Sequence, residues 1–365
     1  MNSDKIYTAA IIGVGRGGEG RAGGHSIGYA HANTYQNHPR TRLVTAADIS
    51  DKNLKTFLSA YGLPQTAGFI DHKEMLRELQ PEIVSVCTYV GTHRPIIEDA
   101  IEAGVKGIFC EKPFTLTMDD ARAIGDMCSS ANVKLVANHY RRDLHVFRKA
   151  RQLVADGAIG TPLLFFAGID DWDQMEWGAH WLDAFRALTG DQDVRHVAAV
   201  VDCSGEKVAY GHVMEEYSYA AFTFADGTRA ILEGGRKPPG DSAMRLIGEK
   251  GILDIVGGLD LRLTNEEGLK TITCESSVHA DYSERQPRDE NGQVIQAYPD
   301  IMDGLIGWIE GDAEPSTGIT NAIKATEMYL GAYEAGRQGK VLEFPIGPQD
   351  TFPLDEIARR HKQSD

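Results

Sequence analysis

Residues 6–12 form an apolar run that passes directly into Gly13-Val14-Gly15, and this junction narrows the possible folds more than any other part of the chain. Two glycines at the end of a strand let backbone N–H groups approach a pyrophosphate, provided that a helix begins soon afterwards. Read literally, Gly13, Gly15 and Gly18 complete a G-x-G-x-x-G pattern. The residues that follow, Glu19-Gly20-Arg21-Ala22-Gly23-Gly24, cannot propagate a helix well, because each interior glycine costs about 1 kcal/mol relative to alanine. Gly28 is the better third glycine. It opens Gly28-Tyr29-Ala30-His31-Ala32-Asn33-Thr34-Tyr35, a helix-compatible stretch, and leaves residues 18–27 as an insertion in the loop that is long enough to cover a pyrophosphate. Asp48, at the end of the next strand-like run, follows Gly28 by 20 residues, the spacing of a carboxylate that accepts ribose hydroxyls. An acid there repels a 2′-phosphate, so the expected cofactor is NAD, not NADP. Glycines alone also mark ordinary tight turns. Strand, helix and acid in register favour the dinucleotide reading of residues 6–48.

The rest of the first 138 residues keeps this rhythm. Short β-branched runs at 6–12, 43–47, 83–87, 107–110 and 133–137 alternate with amphipathic stretches, which predicts a parallel, doubly wound sheet. Asp71 is placed to cap a helix over 72–79, and Thr117-Met118-Asp119-Asp120 has the form of a capping box before a helix over 121–131. From about residue 161 the rhythm changes, and strand-like runs follow one another at 162–169, 194–202, 214–224, 228–234, 243–248, 251–256, 259–264 and 269–274. Turn signals at Asp226-Gly227 and Lys250-Gly251 indicate a mainly antiparallel sheet. Residues 277–295 are polar and read as a long loop, and helices are expected over 296–311 and 318–336. The expected division is a dinucleotide domain at 1–138 and an α+β substrate domain at 139–365, whose C-terminal tail packs back on the first domain.

Composition bounds the partners. A net charge of −16 repels phosphate backbones and anionic lipid, so no nucleic-acid or membrane partner is expected, and a neutral or cationic small molecule suits the overall charge better. No apolar run approaches the ~20 residues that span a bilayer. The five cysteines show no C-x-x-C or metal-ligand spacing and read as thiols of a reducing compartment, so the chain is expected to be soluble and cytoplasmic, with no metal.

At Cys110-Glu111-Lys112-Pro113 the chain resembles the Gfo/Idh/MocA oxidoreductases, the family of glucose-fructose oxidoreductase and inositol 2-dehydrogenase. The resemblance extends through Val84-Ser85-Val86-Cys87-Thr88 with Thr92-His93, Ala100-Ile101-Glu102-Ala103-Gly104-Val105-Lys106, Asp156-Gly157-Ala158-Ile159-Gly160, Gly178-Ala179-His180-Trp181-Leu182-Asp183 and Gly339-Lys340-Val341. It implies a Rossmann domain followed by an α+β domain with a large open, mainly antiparallel sheet that serves dimer or tetramer contacts. Two features depart from the family pattern: the insertion at 18–27, and Glu176 where an Asp usually stands four residues before the histidine.

The resemblance gives roles to residues whose spacing alone admits blander readings. Lys112 follows a strand that ends at the expected cofactor cleft, where an ammonium can hydrogen-bond a substrate hydroxyl and stabilise alkoxide charge; without the Glu-Lys-Pro context it reads as a solvated surface lysine. Pro113 is expected to take a cis bond that aims Lys112 inward. Glu176, His180 and Asp183 stand at i, i+4 and i+7, one face of a helix if a helix covers them, with Trp177, Trp181 and Leu188 on a neighbouring apolar face. Neutral His180 can accept a hydroxyl proton, with a carboxylate to orient it; the alternative is a solvated polar face. Thr88, His93 and Glu111 fall where the family lines the nicotinamide, although His93 equally suits a helix cap. Arg141 and Arg142 are placed to hold a polyhydroxy or carboxylate group, unless one of them pairs with an acidic surface, and Trp172 and Trp177 either stack on a sugar ring or serve as core or subunit contacts. The implied activity is NAD-dependent oxidation of a secondary hydroxyl on a sugar, sugar derivative or cyclitol, with His180 taking the proton. Two alternatives stay open: a redox-neutral glycosidase or lyase that oxidises the ring transiently, and a catalytically silent dinucleotide sensor.

Overall fold

The computed structural model describes residues 5–16, 26–236, 242–257, 260–274 and 297–364. Apart from Ser26 and Ile27, the expected insertion lies outside these residues, as does the polar segment 277–295. Contacts group the chain into two compact units, one from Met1–Thr115, Asp120–Asn138 and Arg285–Ile323, the other from Leu116–Asp119, His139–Glu284 and Lys324–Asp365.

The alternating pattern of the first unit becomes β1 (Tyr7–Ile12), α1 (Ile27–Asn37), β2 (Thr41–Ala47), α2 (Asp51–Ala60), β3 (Gly68–Phe69), α3 (His72–Leu79), β4 (Ile83–Val86), α4 (His93–Glu102), β5 (Gly107–Cys110), α5 (Met118–Ala131) and β6 (Lys134–Ala137). The strands pair in parallel in the order β3-β2-β1-β4-β5-β6. Every residue of β4 and β5 is buried, as expected where helices cover both faces of a parallel sheet. Asp71 caps α3 as its position predicts, its Oδ1 accepting the Lys73 N–H at 2.8 Å. The order reverses between β1 and β4, and at such a switch point the carboxyl ends of the strands part to leave a ligand crevice.

The second rhythm gives α6 (His145–Ala155), β7 (Pro162–Asp170), α7 (Gly178–Leu188), β8 (Val194–Asp202), β9 (Val208–Ala209), β10 (His212–Val213), β11 (Tyr217–Phe224), β12 (Arg229–Gly235), β13 (Ser242–Gly248), β14 (Gly251–Val256), β15 (Asp260–Asn265) and β16 (Gly268–Thr273); α8 (Pro299–Ile309), α9 (Ile319–Gln338), β17 (Leu342–Glu343) and α10 (Pro353–Ser364) follow. Nine of these strands form one sheet, β16-β15-β14-β13-β7-β12-β11-β8-β17, antiparallel except for the parallel pair β7 and β12. Along β11 and β12 burial alternates residue by residue, so one face, with Ala220, Phe222, Ala230 and Leu232, is covered. Helix α7 packs there against β7 and β12. Gly178 is needed at its start, because a Cβ would stand 2.9 Å from the Asp173 carbonyl oxygen.

One sequence expectation changes. The strand expected over 214–224 begins at Tyr217, because a separate hairpin of β9 and β10 precedes it. Its turn is Tyr210-Gly211, both at positive φ (49° and 84°). In the first unit α8 packs on β5 and β6, and a Cβ on Gly107 would meet Ile309 at 2.8 Å.

Candidate active site

The glycine loop is built by close backbone approach. A Cβ on Gly13 would lie 2.8 Å from the Thr88 methyl and 2.9 Å from the Cys87 carbonyl oxygen, and Gly13 itself adopts φ 87°. A Cβ on Gly28 would lie 2.7 Å from the Gly13 carbonyl oxygen and 3.0 Å from Val14. Only glycine lets α1 start this close to the loop, so Gly28 does the work of the third glycine. Asp48, at the end of β2, accepts the Gly15 N–H on Oδ2 at 3.0 Å and the Ser50 N–H on Oδ1 at 2.8 Å. It therefore ties the loop to the end of the second strand. This arrangement of bare backbone, helix start and carboxylate fits a dinucleotide.

Glu111 and Lys112 follow β5, on the same carboxyl edge of the sheet from which the glycine loop and Thr88 leave β1 and β4. Glu111 is buried, and its carboxylate gathers three donors: His31 Nε2 at 2.8 Å and Asn138 Nδ2 at 2.6 Å on Oε1, and the Lys112 backbone N–H at 3.1 Å on Oε2. Burial pushes its carboxyl up, but the His31 hydrogen bond and charge, the Lys112 charge and the Asn138 bond pull it below the usual range. It stays ionised and fixes the backbone of Lys112. The network continues from His31 Nδ1 to Ser85 Oγ at 2.9 Å and from there to Tyr35 O–H at 2.7 Å. The Lys112–Pro113 peptide is cis. His93 is the first residue of α4, but its ring does not cap that helix. Nδ1 lies 3.0 Å from the Phe114 carbonyl and Nε2 3.1 Å from the Thr88 carbonyl, joining the turns after β4 and β5. Burial holds it below its ordinary value, so the neutral ring donates one of these two bonds at a time.

In the second unit the expected face of Glu176, His180 and Asp183 is not a helix face. Helix α7 begins at Gly178, and Glu176 stands in the turn before it. Asp173 makes that turn: its Oδ1 accepts the N–H groups of Glu176 at 2.8 Å and Trp177 at 3.3 Å, and its carbonyl accepts Gly178 N–H at 2.9 Å. All eleven residues of α7 are buried, so it has no solvated polar face. Glu176 Oε1 lies 3.4 Å from His212 Nε2 on β10. Burial pushes the His212 imidazole down to about 4, which keeps it neutral beside the carboxylate. Burial, then the charges of Glu215 and Glu176, push Asp173 well above the usual carboxylate range.

His180 is 5% exposed, and aromatic rings wall it: Tyr140 stands edge-on at 5.2 Å and Trp177 at 6.1 Å between centroids. Trp172 packs 5.8 Å from Trp177 and stacks on Tyr210. Arg142 Nε holds the Asp183 Oδ2 at 3.1 Å, and Arg142 Nη2 also reaches Asp191 at 2.7 Å. The Arg141 guanidinium lies over the rings of Trp177 and Trp181.

Sequence reasoning missed His31, Asp173 and His212. His31 was detectable as a histidine one turn after Gly28 among residues too apolar to be solvated, and Asp173 as an Asx turn before a glycine-initiated helix. Nothing around His212 distinguished it. Among the described residues no group of three metal-ligating side chains occurs, and no helix is long and apolar enough to cross a membrane. The five cysteines are free thiols.

Comparison with known proteins agrees with this geometry. Residues 8–139 match the model of an oxidoreductase family with an NAD-binding Rossmann fold, and residues 147–254 match the C-terminal domain model of the same family, GFO/IDH/MocA. An inositol 2-dehydrogenase of Rhizobium meliloti is 33% identical over 312 residues, 81% of this chain and 89% of the relative. A D-apiose dehydrogenase of Paraburkholderia graminis is 25% identical over 336 residues, 86% of each. The solved structure of an inositol dehydrogenase homolog from Azotobacter vinelandii, complexed with NADH and myo-inositol, superposes with a TM-score of 0.74 at 16% identity, covering 93% of this chain and 98% of that one, and so shares the fold. The chain, with its glycine loop closed by Gly28 and its Glu-Lys-Pro turn, belongs to the Gfo/Idh/MocA family of NAD-binding oxidoreductases.

Proposed function

We propose that this protein oxidises a secondary hydroxyl of a sugar, sugar derivative or cyclitol to the ketone, reversibly, with Lys112 and His180 acting on the same hydroxyl. The observation that carries the reading is the clamp on Lys112: Glu111 fixes its backbone at the carboxyl edge of the sheet that bears the glycine loop. Bound NAD supplies the hydride acceptor. Lys112 donates a hydrogen bond to the hydroxyl oxygen and stabilises negative charge as it develops there. The His180 imidazole takes the hydroxyl proton. Its wall of Tyr140 and Trp177 rings suits the C–H face of a hydroxylated ring. Glu176 contributes a carboxylate, and Thr88 and His93 help to line the cofactor. The 33% identical relative named an inositol 2-dehydrogenase supports a polyol substrate.

The test is a panel of sugars, sugar acids, amino sugars and inositols mixed with protein and NAD. NADH should accumulate with at least one member, and H180A and K112A should each lower kcat by about 10²–10⁴-fold without loss of NAD affinity. Silence across the panel would overturn the reading. A homodimer or homotetramer built on the nine-stranded sheet accompanies this proposal, and light scattering after size-exclusion chromatography would measure it.

A further inference from the structure

Arg141 and Arg142 are adjacent and both buried, yet their surroundings are opposite. Arg142 is held by Asp183 and Asp191. Arg141 is 2% exposed, and its guanidinium carbon lies 5.3 Å from the Trp177 ring centroid and 4.9 Å from that of Trp181. Its Nε and Nη1 have no hydrogen-bond acceptor among the described residues. Among the described residues, the buried carboxylates of this unit are engaged elsewhere. Asp183 faces Arg142, Asp254 faces Arg245, and Glu215 accepts from Tyr333 and Ser218. Asp173 accepts the N–H groups of the following turn, and Glu176 stands beside His212.

A guanidinium is always charged, and its five N–H donors demand acceptors when water is withdrawn. Two indole faces attract the cation but offer it no lone pair. What the site lacks among the described residues is an anion. Trp177 belongs both to this guanidinium and to the wall of His180, and Tyr140, which packs on His180, directly precedes Arg141.

We propose that Arg141 receives an anionic group carried by the substrate, so that the hydroxylated compound this unit takes is an acidic one: a sugar or cyclitol bearing a carboxylate or phosphate. The choice of an alcohol substrate rests on the proposed oxidation at His180, whereas the anion site rests on Arg141 alone. The net charge of −16 opposes an approaching anion only at long range, where salt screens it over about 8 Å. A buried guanidinium acts inside that distance, and its planar fork matches carboxylate and phosphate oxygens.

The experiment uses matched sets: a neutral sugar or cyclitol, its uronate or aldonate, and its phosphate ester. Each is titrated calorimetrically into the NAD-loaded protein, and NADH formation is followed separately. At least one acidic member should bind about tenfold or more tightly than its neutral counterpart, and which acid it is separates carboxylate from phosphate. R141M should abolish that difference and R141K should keep part of it. Neutral members that bind as tightly as both acids would overturn the proposal, as would an R141M preference equal to that of wild type. The wild-type comparison needs no variant, so a misfolded R141M does not blunt the test. NADH formed from neutral members with no anion preference removes the anion site and leaves the oxidation standing. An Arg141-dependent preference for the acid with no NADH formed does the reverse.

Discussion

Replacing Gly28 by alanine tests which glycine closes the cofactor loop, and the structure sets the size of the effect. The new Cβ would stand 2.7 Å from the Gly13 carbonyl oxygen and 3.0 Å from both Cα and O of Val14, all backbone atoms with no rotamer to change. Ordinary contact begins near 3.4 Å, so α1 and the loop must part by about 0.7 Å. Overpacking of this kind costs about 1–3 kcal/mol, while alanine favours the helix by about 1 kcal/mol. The net loss of stability without cofactor is therefore small, about 0–2 kcal/mol. The penalty falls on binding, because the displaced N–H groups are those that would face the pyrophosphate. Affinity for NAD should drop about tenfold to a hundredfold, each factor of ten being about 1.4 kcal/mol. Calorimetric titration with NAD, beside thermal unfolding of the apoprotein, separates the two quantities. Gly18→Ala, which completes the literal motif but lies outside the described residues, serves as the control and should bind NAD like wild type. Wild-type affinity in Gly28→Ala, or an equal loss in Gly18→Ala, would refute the assignment and with it the NAD preference drawn from the spacing to Asp48.

Other substitutions probe the rest of the molecule. The folded-state value of His212, about 4, lies below the unfolded one; above pH of about 6.5 both states are neutral there, and on acidification the unfolded chain gains a proton that the folded one refuses. His212 should thus cost up to about 3 kcal/mol of stability between pH of about 6.5 and 4, and denaturant melts of His212→Asn should show a flatter acid limb than wild type. Asp173 is shifted upward, so its contribution is present at acid pH and lost as pH rises; Asp173→Asn keeps an oxygen for the Glu176 and Trp177 N–H groups and should gain stability relative to wild type as pH increases, a trend that a constant offset would contradict. Arg142→Met leaves Asp183 charged and buried without its main cation and should cost about 3–5 kcal/mol in urea unfolding, most of it regained in Arg142→Met/Asp183→Leu. Glu111→Gln puts an amide before the donors of His31, Asn138 and Lys112, costing about 1–3 kcal/mol and lowering kcat through a mispositioned Lys112, seen as a fall in kcat larger than any change in NAD affinity.

The legible parts of the chain were those whose signal is local. Strand period, helix caps such as Asp71 and the distance from Gly28 to Asp48 are short-range quantities, and they placed the parallel sheet, its glycine loop and the acid at the end of β2. Helical arithmetic failed at Glu176, because the i, i+4, i+7 spacing assumes a helix that the Asp173 side chain delays by taking the N–H groups of Glu176 and Trp177. The amphipathic reading of α7 failed for a related reason: Arg142 satisfies Asp183, so a polar residue can be buried, and polarity no longer marks a solvated face. Which of two adjacent arginines has an acid partner is decided by Asp183 and Asp191, some 40–50 positions along the chain, and no local pattern carries that information. The placement of α8 on β5 and β6 is equally non-local, since it brings residues near 300 onto strands near 110 and 135.

The most direct test of the proposed reaction follows the hydrogen on the carbinol carbon. A turned-over sugar or cyclitol labelled with deuterium at the oxidised carbon is incubated with the protein and NAD, and both products are analysed by mass spectrometry and NMR. The account predicts one deuterium delivered to the nicotinamide for each ketone formed, with the rate of transfer lowered about 10²–10⁴-fold in H180A. Deuterium returned to a sugar product at constant NADH, with a glycosidic bond cleaved, would contradict net oxidation and identify the redox-neutral reaction instead.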